Sequence, residues 1–141
     1  MKVFRIVDAD RKPSMGFLCG EIKQAKEDIK EVLNNLEKNY QSVMKIIEAR
    51  VKDRLDNPLH FAAYLLNPYY FFKDMDIQLD HEVMDGFFNY VEMFYDGELQ
   101  NHVINIELPK YTHKGGTFGK LWATPGCAEN DDNYNPGINF L

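Results

Sequence analysis

The chain has 141 residues, of which 45% are apolar and 13% aromatic, and a formal net charge of −6. One domain is expected at this length, and so much apolar side chain excludes wholesale disorder. No apolar run reaches the roughly 18 residues of a membrane span, the opening MKVFRIVDAD lacks the apolar stretch of a secretory leader, and two cysteines, Cys19 and Cys127, make neither a disulfide scaffold nor a zinc cage. The expectation is a soluble, intracellular, reduced chain.

Charge is unevenly spread. Residues 1–55 carry 12 basic and 9 acidic side chains, and residues 56–141 carry 4 and 13. The acidic part would repel a phosphate backbone. Arg50, Lys52 and Arg54 offer the first part a phosphate contact, but the interleaving of opposite charges there reads better as a solvated helix face.

In chain order, Val3–Val7 is the only strand candidate and reads better as a helix remnant. Met15, Leu18, Ile22, Ala25, Ile29, Val32 and Leu36 recur at spacings of three and four, which predicts a helix of about 22 residues. Pro13 suits its first turn. Lys23, Lys26, Lys30, Glu27, Asp28 and Glu31 fill its other face. Gly16 and Gly20 weaken its start and mark a close helix–helix contact. A second helix follows from Tyr40 to Leu55, with a stripe of Tyr40, Val43, Met44, Ile47, Val51 and Leu55. Asn57-Pro58 reads as an N-cap with Pro at the first helical position. The helix it opens, Leu59–Leu66, is apolar nearly all round and so is expected to be buried. Asn67-Pro68 ends it, and the aromatic cluster Tyr69-Tyr70-Phe71-Phe72 follows.

Asp80 is the expected N-cap of a fourth helix, with Glu82 favourable near its N-terminus and Val83, Met84, Phe87, Phe88, Val91, Phe94 and Tyr95 on its apolar face. Asp96-Gly97 breaks the chain. A fifth helix is expected over Glu98–Glu107, with Leu99, Val103 and Ile106 inward and Pro109 beyond its end. The glycine- and asparagine-rich remainder reads as irregular. The fold expected is all-α, about five helices in a partial bundle over residues 1–112, with an irregular or disordered tail over 113–141. No internal repeat is visible.

Each chemical motif has a structural reading that fits better. His60, His81, His102, His113, Cys19 and Cys127 show none of the tight spacings of a zinc site. Asp74, Asp76, Gln78, Asp80, Glu82 and Asp85 alternate like a calcium loop, but that loop needs Gly at its sixth position and Glu at its twelfth. Leu79 and Asp85 stand there, so an acidic, helix-capping loop fits instead. Cys19 lies beside the apolar stripe with no base nearby and reads as a packing residue rather than a nucleophile. Lys114–Lys120 is glycine-rich but is not GxxxxGK[ST], and reads as a flexible turn. The aromatics Tyr69–Phe72, Phe87, Phe88, Phe94 and Tyr95 form either a groove or, at helical spacing, core. No catalytic, cofactor-binding or metal-binding residue is assigned.

Several blocks are distinctive: Phe4-Arg5-Ile6-Val7-Asp8, Lys12-Pro13-Ser14-Met15-Gly16-Phe17, Ala25-Lys26-Glu27-Asp28-Ile29, Ile46-Ile47-Glu48-Ala49-Arg50, Glu82-Val83-Met84-Asp85-Gly86 and Gly115-Gly116-Thr117-Phe118-Gly119. The most specific is Pro58-Leu59-His60-Phe61-Ala62-Ala63-Tyr64-Leu65-Leu66-Asn67-Pro68. Together, in this order and spacing, they resemble plant hAT-type transposases and their domesticated relatives. The match spans residues 2–120. It departs at Val51, where a tryptophan is usual, and at Phe61, where alanine is usual, and it stops after Gly119. The resemblance implies a stretch of the helical insertion of an RNase H-like transposase, placed before the C-terminal dimerisation region. It also implies that the chain lacks the acidic triad and the BED-type zinc finger, and so is not itself an enzyme. It would be a truncated piece, nuclear by family, touching nucleic acid only in the full-length context. The alternative is a free-standing helical module that binds a protein partner, or itself, through exposed apolar faces. Neither reading involves a cofactor or a membrane.

Overall fold

The computed structural model describes residues 14–52 and 54–120. Among these it is all-α: α1 Ser14–Val32, α2 Glu37–Val51, α3 Pro58–Leu65, α4 Pro68–Phe71, a 3₁₀ turn Met75–Leu79, α5 His81–Phe94, α6 Gly97–His102, a π-helical segment Val103–Glu107, α7 Leu108–Thr112 and a 3₁₀ turn Gly116–Gly119. The readings of Val3–Val7, Pro13 and Cys127 lie outside the described residues.

The centre is α3. Its sequence, PLHFAAYL, is apolar on every side, so it is stable only with neighbours on more than one face. It packs most extensively on α5 and next on α1, and His60, Phe61, Ala62, Tyr64 and Leu65 are buried. Both its ends are set by Asn-Pro pairs. The Asn57 side chain accepts the His60 N–H, and the Asn67 side chain accepts the Tyr69 N–H, with Pro at the first turn in each case. Asn67-Pro68 thus closes α3 and at once opens α4.

The crossing of α1 on α3 is close because α1 presents glycine there. A methyl group on Gly16 would stand 2.5 Å from the Ala63 carbonyl oxygen, and one on Gly20 would stand 2.3 Å from the Tyr70 ring. The contact expected at these glycines is therefore present. The length of α1 differs from expectation. It ends at Val32, and Asn34 and Asn35 follow at φ 58° and 55°, a conformation asparagine tolerates. The Asn35 N–H returns to the Lys30 carbonyl at 2.8 Å, closing the helix as a Schellman-type end. Leu36 lies in extended backbone at the start of α2. The stripe is also buried unequally: Leu18 is buried, Ile22 and Ile29 are partly covered, and Ala25 and Val32 are exposed. Only Met44 of the α2 stripe is buried.

On the other side of α3, α5 supplies Val83, Phe87 and Val91 to the core. Asp80 caps it as expected, accepting from the Glu82 and Val83 N–H groups. Phe94 and Tyr95, expected on the same face, are exposed. The expected fifth helix also differs. It does not stop before Pro109: α6, the π segment and α7 run on as one continuous helix to Thr112. Within it the Leu108 N–H reaches back to the Val103 carbonyl, one residue further than in an α-helix, and this widened turn makes room for the proline ring that would otherwise press on the preceding turn. Leu99 and Ile106, expected inward, are exposed, while Val103, also expected inward, packs against the core with Ile104 and Leu108. Tyr111 is buried, and its hydroxyl donates to the Leu65 carbonyl at 3.1 Å.

The aromatic cluster divides between two sides of the core. Tyr70 packs on Phe17 and Tyr64 with ring centroids 5.6 and 5.2 Å away. Phe71 and Phe72 pack on Tyr111 at 5.0 and 5.3 Å. The glycine-rich stretch, expected as a flexible turn, is a defined one. Lys114 and Gly116 take positive φ, and Phe118 stacks edge-on to Tyr111 at 5.4 Å.

Candidate functional site

Among the concavities of the described surface, two bear on a candidate site. The larger, a cleft of about 730 Å³, is walled by α1 and α2 on one side and by the acidic stretch from Asp74 to Glu82 on the other, with Tyr64 and Met44 at its base. The smaller, about 370 Å³, is apolar and lies where Leu66, Phe87, Val103, Leu108, Tyr111 and Phe118 converge beside the π segment.

The cleft holds the main long-range electrostatic contact. Lys23 Nζ lies 2.7 Å from Asp80 Oδ2 and 3.6 Å from Glu82 Oε2. Lys23, placed on the outer face of α1 by its spacing, thus turns to the N-terminus of α5. Asp80 serves two roles, one oxygen capping α5 and the other receiving Lys23. Burial alone would lower the Lys23 pKa, but the hydrogen bond to Asp80 and the charges of Asp80 and Glu82 raise it. Burial alone would raise the Asp80 pKa, but Lys23 and the two backbone N–H groups lower it. Both groups stay charged, and the pair ties α1 to α5. Being part-exposed, it contributes more to register than to stability.

Close to this pair sits Cys19, buried in the same core cluster as Phe61, Ala62 and Tyr64. Burial pushes its thiol up from 9.0 to about 12, the Lys23 charge only partly opposing this. A rise of that size lowers the thiolate fraction about a thousandfold at neutral pH. Cys19 is therefore expected to resist Ellman's reagent in the native Cys127→Ser protein and to react only when the chain unfolds. A native reaction at the rate of a free thiol would contradict its placement. Burial likewise pushes the Tyr64 hydroxyl up to about 12.

His60 is a lock on its own helix. Its Nδ1 lies 2.8 Å from Asn57 Oδ1, the same oxygen that receives the His60 backbone N–H at 3.2 Å. Because that oxygen accepts, Nδ1 carries the proton. Burial lowers the ring's pKa, against the nearby Asp56 charge, so the imidazole is neutral at pH 7. Cys19 and His60 are thus each engaged in packing or capping. His102 Nε2 meets Glu107 at 3.2 Å, and His113 Nδ1 donates to the Pro109 carbonyl at 2.9 Å. The alternating acids act as caps: Asp74 on the 3₁₀ turn and Asp80 on α5. Among the described residues no three His, Cys, Asp or Glu side chains converge as metal ligands, and no helix is long and apolar enough to cross a membrane.

What spacing alone missed is non-local. Lys23 and Asp80 are 57 positions apart, and Tyr111 and Leu65 are 46 apart. The one local signal was the cap at Asp80. Fold and site together define an all-α helical unit whose polar groups serve caps and ties between helices. No protein-family model, no curated protein and no solved structure matches this chain.

Proposed function

We propose that this chain is a non-catalytic helical segment of a hAT-type transposase-like protein, acting through its helix surfaces rather than by chemistry. The observation that supports this reading is where the resembling blocks meet. Gly16 of the Lys12–Phe17 block closes on Ala63 of the Pro58–Pro68 block, and Gly86 of the Glu82–Gly86 block closes on Phe61 of that same block. Two blocks far apart in sequence thus converge on α3, and the most specific block is that helix from Pro58 to the Asn67-Pro68 pair that closes it. Their residue types are those that a close helix crossing requires.

Strand transfer in the resembled family needs three carboxylates around divalent metal, which stabilise the attacking and leaving oxygens at the phosphate. The resemblance places that triad, and the zinc finger, outside the matched residues. Incubated with DNA carrying transposon-type ends and magnesium or manganese, the chain is expected to cleave no strand above background. Cleavage that tracks the protein through purification would overturn the reading. Grafted over the matching segment of an active hAT transposase, residues 2–120 should support excision, and a chimera that still binds transposon ends but does not excise would also count against it. Nuclear location follows from the same proposal.

The alternative, a free-standing interaction module, draws on the exposed apolar side chains Met93, Phe94 and Ile46. Such side chains, when contiguous, mark docking surfaces.

A further inference from the structure

We propose that two copies of this chain associate head to tail, the outward face of α2 in one docking on the α5–α6 edge of the next. This goes beyond the proposed function and does not rest on it. The first observation is an unfinished core stripe. Val83, Phe87 and Val91 are buried along one face of α5, yet Phe94, in the same register one turn further on, is 62% exposed. Tyr90 stacks on it at 4.8 Å, and Met93, Tyr95 and Leu99 extend the exposed apolar edge.

The second observation is charge. From Asp74 to Pro109 the sequence holds nine acidic residues and no lysine or arginine. Lys23 of α1 holds Asp80 and lies near Glu82, while Lys110 and His102 hold Glu107. Glu92, Asp96 and Glu98, around the apolar edge, have no basic partner in ion-pair range among the described residues.

The complement stands on α2. Its inward row is Tyr40, Met44, Ile47 and Val51, of which Met44 is buried and the rest are partly covered. Lys38, Lys45 and Lys52, seven residues apart, form an exposed row along the helix. Ile46, 64% exposed, lies between that row and Arg50. Glu37, Glu48 and Lys45 of α2 line the cleft, and Lys38, Arg50 and Lys52 stand outside it. The outward face is therefore basic with an apolar centre. The α5–α6 edge is apolar with an acidic rim. Both are exposed in the same chain, so neither covers the other within one molecule, and a second copy brings them together. Such charge matching sets register and partner choice, and the unlike faces make the contact heterologous.

The test uses the full chain in sedimentation equilibrium at low and high salt. The mean mass is expected to rise above the 16.5 kDa of the monomer with concentration at low salt, and to fall back as salt screens the contact. Glu92→Lys/Glu98→Lys and Lys45→Glu/Arg50→Glu, all on exposed positions, should each keep the native far-UV spectrum and lose self-association. An equimolar mixture of the two should recover it, since each then offers the face the other needs. Phe94→Ser should also abolish association. Three results would overturn the proposal: a monomer at every concentration, association indifferent to both charge reversals, or a mass that rises only on adding duplex DNA.

Discussion

Phe71→Ala is expected to lower the free energy of unfolding by about 3–5 kcal/mol, the usual loss when a large core aromatic is truncated. Phe71 is fully buried although it lies in a helix of only four residues. It stacks on Phe72 and Tyr111 with centroids 5.4 and 5.0 Å away, so one ring joins α4 to α7. Tyr111 in turn donates to the Leu65 carbonyl at the end of α3. Removing the ring leaves a void that a short helix pinned by its Asn67 cap cannot close by shifting. Domains of this size are stable by only about 5–15 kcal/mol, so the variant should be marginal at room temperature. Urea unfolding followed by circular dichroism measures the loss, with Phe71→Leu as the volume-sparing control expected to lose less. A cost below about 1 kcal/mol would mean that this ring is not in the core.

Gly86→Ala is expected to destabilise by about 1–3 kcal/mol, against the sign of helix propensity. Alanine in a helix interior is worth up to about 1 kcal/mol over glycine. At Gly86, however, an added methyl would stand 2.5 Å from Phe61 Cβ and 2.6 Å from Phe61 Cδ2. Phe61 Cβ is fixed to the α3 backbone, so relief requires α3 and α5 to separate, and that separation spreads through the largest helix contact in the fold. Gly97 at the start of α6 is the control, since an added methyl meets nothing within 4 Å there. Gly97→Ala should be neutral or slightly stabilising. Thermal melts of the pair decide the point: if Gly86→Ala melts at or above the parent temperature, α5 does not pack on Phe61 this closely.

The candidate site was legible in the sequence only in part. The cap at Asp80 could be read directly, but its ion pair with Lys23 could not, because Lys23 at a helix-surface spacing is indistinguishable from its solvated neighbours Lys26 and Lys30. Cys19 reads from its spacing as a packing residue, and His60 shows none of the spacings of a zinc site. Their surroundings, a buried pocket beside Tyr64 and an Asn57 oxygen, explain why the thiol is held neutral and the ring is fixed.

The sequence alone determined the starts of α3 and α5, whereas α4, and the start of α2 at Glu37 rather than Tyr40, came with the structure. Asn57, Asn67 and Asp80 each cap a helix using backbone N–H groups two or three positions on, so everything that decides the cap lies within one turn. Tertiary structure alone decided which stripe positions are covered and where the last helix ends. Burial depends on a neighbour that periodicity cannot see. Val43, Phe94, Leu99 and Ile106 keep helical spacing and still face outward, because no described element packs over them. Pro109 is the clearest case. By local rules it ends a helix, yet the chain stays helical through it. Burying Tyr111 against the end of α3, with a hydrogen bond to Leu65 and a ring contact to Phe71, outweighs the cost of one widened turn.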